Sequence, residues 1–287
     1  MILVTGCNPL GTRIVDAMAA EMARGACDQS CPDVPRGYRT YDAMSAESVS
    51  RLMEEVKPSV LVMAEEVSDV EYCEKNRMDA MHYNTRAVRF FVDAALKTGS
   101  RVVYVSTPYV FDGRKPGGLY TEEDRVNPLN VYGETMLMGE VHSDKAREFL
   151  IVRVGELYGS YPGNFASHVY EQIRYGQKVE LAKDMYFSPI LIEDAVNAIK
   201  TLTVNRMNGW YNVAGPQRIS HYDFGRKIAA AFGQNPDLIV PVNAVDLGMT
   251  VPVPLDTSLN ITKLSALVKV HGIDQGLFAM MANMNNM

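Results

Sequence analysis

The stretch Ile2-Leu3-Val4-Thr5-Gly6-Cys7-Asn8-Pro9-Leu10-Gly11, followed by apolar residues at Ile14, Val15, Met18 and Met22, decides the fold. Its first residues make an apolar run of strand length, and the later apolar positions recur with the 3.6-residue period of a helix. Strand, glycine turn and amphipathic helix, in that order, open a βαβ unit. The rhythm then repeats. Val49, Leu52, Met53 and Val56 form a second helical stripe that Pro58 ends, and Val60-Leu61-Val62-Met63 is a buried strand. Residues about 80–98 read as a long helix stopped by Gly99, and Val102-Val103-Tyr104-Val105 as a strand. Residues about 130–145 read as a helix, and Phe149 to Val154 as a further strand. Such alternation predicts an α/β fold with a doubly wound parallel sheet. Strand two is the weak point. Residues 24–40 hold Gly, Pro, Ser and Cys with hardly an apolar run, so Ala26-Cys27-Asp28 is expected as no more than a short edge strand.

Beyond Tyr158 the rhythm breaks at the turn-rich Gly159-Ser160-Tyr161-Pro162-Gly163-Asn164. Helices near 165–175, 193–203 and 221–232 follow, with short strands near Val179 and Tyr211 and prolines at 241, 252 and 254. The expected division is a sheet domain over residues 1–158 and a smaller mixed α/β C-terminal lobe over 159–287, partly interwoven with the first. Open α/β sheets bind ligands at the carboxyl ends of their strands, so a site is expected there, between the lobes. The Met/Asn-rich tail from Met280 onward reads as a frayed end.

With 287 residues, 47% hydrophobic and 22% charged, the chain can bury a large core. A net charge of −6 argues against a nucleic-acid partner, whose phosphates call for a basic patch. No apolar run approaches the ~18 residues of a membrane span, and the opening strand leaves no room for a signal peptide. A soluble, cytoplasmic protein is expected. Cys7, Cys27, Cys31 and Cys73 are too few for a disulfide framework and read as reduced thiols. Neither they nor the five scattered histidines show a ligand spacing, so no metal site is expected. Glu65-Glu66, with Asp69, Glu71 and Glu74 following, reads as an exposed acidic loop.

Two segments carry chemistry. Glycines after the first strand let a dinucleotide pyrophosphate approach the backbone at a helix N-terminus, which assigns Gly6, Asn8, Leu10 and Gly11 to cofactor contact. The spacing is irregular, and Pro9 removes an N–H that would have faced phosphate. The alternative is a strand–helix turn that binds nothing. Asp28 lies 22 residues beyond Gly6, where an acid would hold the adenosine ribose and favour NAD over NADP. The second segment is Val131-Tyr132-Gly133-Glu134-Thr135-Met136, in which Tyr132 and residue 136 share a helical face. A cation at 136 would favour phenolate by at most ~4 kcal/mol at ~4 Å. The Met136 thioether supplies none of that.

The whole pattern resembles the dTDP-4-dehydrorhamnose reductase family of extended short-chain dehydrogenases, and its relative, the regulatory β subunit of methionine adenosyltransferase. The likeness is densest in Ser106-Thr107-Pro108-Tyr109-Val110-Phe111-Asp112-Gly113, in Asn127 through Thr135, and in Gly139-Glu140. Gly163-Asn164-Phe165, Asp184 through Ser188-Pro189, and Leu255-Asp256-Thr257-Ser258 add to it. The resemblance implies a Rossmann-type fold and hydride transfer from NADH or NADPH to a nucleotide-linked 4-keto sugar. It implies Tyr132 as proton donor, Thr107 as partner of the substrate carbonyl, and Asp42, Ala64 and Asn84 near the cofactor. It also implies a lysine at the place of Met136, an Asn-Ala-Ala-Ala run where this chain has Met63-Ala64-Glu65-Glu66, and an Arg-Pro pair where this chain has Val251-Pro252-Val253-Pro254.

These departures fall on one expected cavity. The first reading is therefore a relative whose parental reduction is weak or lost and which acts non-catalytically or as a regulator. It would bind a dinucleotide and a protein partner such as a methionine adenosyltransferase, or another copy of itself. An active reductase of a nucleotide-sugar with a modified site, and a scaffold or sensor that binds no dinucleotide, are the alternatives.

Overall fold

The computed structural model describes residues 1–284. Six strands form most of a seven-stranded sheet: β1 (Ile2–Thr5), β2 (Ala23–Asp28), β3 (Arg39–Tyr41), β4 (Val60–Met63), β5 (Arg101–Ser106) and β6 (Phe149–Val154). With Gly209–Val213 at one edge, the spatial order is Gly209–Val213, β6, β5, β4, β1, β2, β3. The sheet is that of a doubly wound, Rossmann-like fold. β1 pairs in parallel with β2 on one side and with β4 on the other. The strand order reverses there, so the carboxyl ends of β1 and β4 flank the crevice where such sheets bind ligands.

Strand two departs from expectation. It has six residues and lies inside the sheet between β1 and β3, not at an edge. Its small residues explain this: a Cβ on Gly25 would overlap the Tyr38 ring, which covers the strand in place of a longer apolar side chain. The helices flanking this part of the chain are α1 (Pro9–Ala17), α2 (Ala46–Val56), α3 (Val70–Lys75), α4 (Arg77–Met81), α5 (Val88–Thr98) and α6 (Val131–Ser143). The long helix expected over residues 80–98 is interrupted, because a π-helical turn, His82–Ala87, joins α4 to α5.

Two compact units account for the chain. One comprises Met1–Val110, Pro128–Arg153 and Val196–Tyr211, and the other Phe111–Asn127, Val154–Ala195 and Asn212 onward. The second unit has its own core around Tyr158, Phe187, Phe224, Ile228 and Leu277. The tail expectation fails over Met280–Met284. Helix Ile273–Met284 presents Met280 to that core with no exposure, and residues 285–287 lie outside the described residues.

In the first unit α6 is fixed to β5 and β6 by a buried ion pair. The Arg153 guanidinium donates to both Glu140 oxygens, at 2.9 and 2.8 Å, and the Ser106 hydroxyl donates to Glu140 at 2.6 Å. Both charged side chains are almost fully buried. Such a pair contributes little net stability, but removing one partner strands the other charge. Glu140→Ala is expected to lower unfolding free energy in urea by about 3–5 kcal/mol, and the double replacement of Glu140 and Arg153 by apolar residues by clearly less.

In the second unit His221 packs between Phe165 and Phe187, with ring centroids 5.2 and 4.6 Å away. Burial pushes its pKa down to about 4. The unfolded chain therefore binds this proton first. Stability is expected to hold above pH ~6.5 and to fall by on the order of 3 kcal/mol towards pH 4. His221→Gln should flatten that part of a pH series of urea midpoints.

Candidate functional site

Gly6 leaves β1 at φ +118°, a region that glycine enters freely. Pro9 is the first residue of α1, where a helix has no use for the missing N–H, so it starts the helix. Asn8 caps it: the side-chain oxygen accepts from Gly11 N at 2.8 Å. The same amide donates to the Ala64 carbonyl at 2.6 Å. One side chain thus ties the turn after β1 to the end of β4 and brings Gly6, Asn8, Leu10, Gly11 and Ala64 to the crevice. The first turn of α1 offers the N–H groups and positive dipole end that suit an anion.

Next to this turn the crevice is acidic. Asp28, at the end of β2, is buried and accepts from Ala43 N at 2.7 Å and Ser30 N at 2.9 Å. Glu65 accepts from the Tyr41 hydroxyl. Burial raises the Glu65 pKa, the Tyr41 hydrogen bond opposes this, and the charge of Asp28 adds to the rise. Asp42 is not brought into this group; its carboxylate accepts from Met44 N at 2.9 Å in the turn leading to α2.

The acidic stretch after β4 is not an exposed loop, contrary to the sequence reading. Glu65 and Glu66 are half-buried, Asp69 caps α3, and Glu74 accepts from Val131 N at 3.1 Å at the start of α6. Glu71 fits the expectation, exposed and paired with Lys75 one turn on, and Asp69 is exposed as well.

Glu66 meets Tyr132. The phenol, itself buried, donates to the Glu66 carboxylate at 2.9 Å. Burial raises the Tyr132 pKa well above the usual phenol value, the Glu66 charge raises it further, and a hydrogen bond with Thr107 opposes both. Thr107 and Tyr132 therefore lie together. Tyr109 closes the same side with its ring edge-on to Tyr132, centroids 5.4 Å apart. Met136 lies on the same face of α6 but inside the core, fully buried, with its sulfur 3.4 Å from the Tyr104 hydroxyl.

Asn84 holds this arrangement from the π-helical turn. Its oxygen accepts from Val67 N at 2.8 Å, and its nitrogen donates to Val67 O at 3.0 Å and Thr135 Oγ1 at 3.2 Å. Its amide is spent on the loop that carries Glu66 and on the helix that carries Tyr132. Sequence reasoning missed the Glu66–Tyr132 pair. Its signal was position: two carboxylates directly after a central strand stand at the crevice.

The expectation of four reduced thiols also fails, since Cys7 and Cys27 form a disulfide, with Cα atoms 5.7 Å apart. Gly6 N donates to Ala26 O at 3.0 Å, so the next residue of each segment stands beside the other. A separation of 20 residues hid this neighbourhood. Among the described residues, no helix is long and apolar enough to cross a membrane.

Known proteins share the sequence pattern and the fold of this chain. The dTDP-4-dehydrorhamnose reductase of Aggregatibacter actinomycetemcomitans is 27% identical over 241 residues, 79% of this chain and 81% of that one. The methionine adenosyltransferase 2 subunit beta of Xenopus tropicalis is 26% identical over 242 residues, 80% of this chain and 71% of that one. The fold is shared with the dTDP-4-dehydrorhamnose reductase of Bacillus anthracis, solved in complex with NADP. That likeness has a TM-score of 0.83 at 23% identity and covers 98% of each chain. Residues 1–285 match the model of the RmlD substrate binding domain, and the chain belongs to that family.

Proposed function

We propose that this chain keeps the dinucleotide cradle of the reductases, has lost most or all of their hydride-transfer activity, and serves as a non-catalytic or regulatory relative. The observation that carries this is the phenol of Tyr132 bonded to a carboxylate, with a buried thioether where a cation would stand. A proton donor to a forming alkoxide must bear growing negative charge. Glu66 opposes that charge, and nothing on residue 136 offsets it. Loss of a tuned general acid commonly costs about 10²–10⁴ in rate.

The turn fits a dinucleotide better than the reacting end does. Gly6, Asn8, Leu10 and Gly11 at the start of α1 would hold a pyrophosphate, with Ala64 opposite. Asp28 would hold the adenosine ribose. Its carboxylate would repel a 2′-phosphate, which favours NAD, although the Bacillus anthracis relative was solved with NADP. Asn84 acts as a positioning residue, and Asp42 serves the turn before α2.

Retention of the Thr107–Tyr132 hydrogen bond favours a second reading, an active reductase of a nucleotide-linked 4-keto sugar with a modified site. The likeness to a methionine adenosyltransferase subunit supports a protein partner for the non-catalytic reading, which co-purification with such an enzyme would test.

Calorimetric titration with NAD, NADH, NADP and NADPH should give binding in the micromolar range, tightest for the NAD pair. Absence of binding by all four would remove the cradle and leave a scaffold or sensor. With a dTDP-4-keto sugar and reduced cofactor, turnover should lie far below the ~1 s⁻¹ of an ordinary enzyme, and a value at or above it would sink the proposal.

Met136→Lys places a cation in a closed core and should lower stability by on the order of 3 kcal/mol. Glu66→Gln removes the opposing charge at constant shape. Residual turnover should rise in Glu66→Gln and rise further in the double variant; unchanged rates would mean that the defect lies elsewhere.

A further inference from the structure

Cys31 lies in the turn after β2, where its N–H donates to the Asp28 carbonyl at 3.0 Å and Ser30 N binds the Asp28 carboxylate. The sulfurs of Cys7, Cys27 and Cys31 all lie within 4.8 Å of one another. Two of them are bonded, and the third is a free thiol. The three differ in surroundings. Cys27 is fully buried, whereas Cys7 and Cys31 are half-exposed. Cys7 also stands two residues before α1, at the positive end of the helix dipole.

We propose that these residues form a thiol–disulfide exchange centre in which buried Cys27 is the shared partner of Cys7 and Cys31. The Cys31 thiolate attacks Cys27 Sγ. The Cys27–Cys31 bond forms, the Cys7–Cys27 bond breaks, and the electron pair leaves on Cys7. The proton lost by Cys31 ends on Cys7, so the step is an isomerisation that consumes no oxidant or reductant. Direction follows from the leaving group. Cys7 departs into a half-exposed place beside a helix N-terminus, where a thiolate is favoured. Expulsion of Cys27, by attack on Cys7, would leave a thiolate in the core, where desolvation disfavours it.

Exchange therefore exposes one of two thiols in turn, and each state offers soft electrophiles a different site. A group added at Cys7 would sit between Gly6 and Asn8. Its effect on a dinucleotide rests on the cradle proposed above, but the exchange itself does not.

The test alkylates the oxidised, native, full-length chain slowly with iodoacetamide, without reductant, and maps the label. Cleavage before Asp28 separates Cys27 from Cys31, so both disulfide isomers are read as linked peptides by mass spectrometry. The expected result is label on Cys31 in molecules retaining Cys7–Cys27, and on Cys7 in molecules carrying Cys27–Cys31. In Cys31→Ser, labelling of Cys7 should drop at least about tenfold. Label confined to Cys31 after complete reaction would overturn the proposal, as would equal labelling of Cys7 in Cys31→Ser. Because the readout is the position of a label, it is independent of any dinucleotide affinity.

Discussion

The amide of Asn84 holds the site together. It accepts from and donates to the backbone of Val67, then reaches Thr135 in α6, while the neighbouring Thr85 hydroxyl donates to Thr135 O at 2.9 Å. The segment between β4 and α3 has few apolar side chains to anchor it, so its path is set by these polar bonds. Because the group is buried, an unmade bond here would cost the desolvation of the polar atom left behind, about 1–3 kcal/mol. Glu66 follows from this path. Held between the fixed end of β4 and Val67, its carboxylate reaches the Tyr132 phenol.

The two consecutive glutamates make the same kind of contact, each with a buried tyrosine. Tyr41 donates to Glu65 and Tyr132 to Glu66, and burial is the first cause of the raised pKa of both phenols. Neutral phenols are good donors to carboxylates, so the arrangement keeps the acids satisfied and the tyrosines protonated. Where the family resemblance implies small residues after β4 and a lysine on α6, this chain sets a carboxylate against the phenol and a buried thioether on the same helix face.

Much of the fold was legible because its signals are periodic. The run Val60–Met63 and the stripe at Val49, Leu52, Met53 and Val56 needed no context. Strand β2 was not legible as an interior strand, because Gly25 and Ala26 serve the packing by being small. The same limit applies to the site. Gly6, Tyr132 and Met136 stand in local patterns, a glycine turn after a strand and a shared helix face, that the structure keeps. The Glu66–Tyr132 contact joins residues 66 positions apart and the Cys7–Cys27 bond residues 20 apart, and neither has a local pattern. The acids after β4 were misread because composition suits a solvated loop. Their partners, Tyr41, Tyr132 and the N–H of Val131, are supplied by distant segments.

The π-helical turn His82–Ala87 places a constraint of another kind on this chain. A π turn closes its hydrogen bonds over one more residue than an α turn, so it amounts to a single-residue insertion in an otherwise continuous helix. Each residue of an α-helix rotates the chain by about 100°. Losing one residue within His82–Ala87 would close the turn into ordinary α-helix and rotate the side chains of the turn by about that angle relative to α6. Asn84 and Thr85 could then not both face Thr135. What must be preserved across this stretch is therefore a count. Arg86, which is exposed, has room to change identity, but the number of residues from α4 to α5 acts as a ruler that sets where the crevice opens.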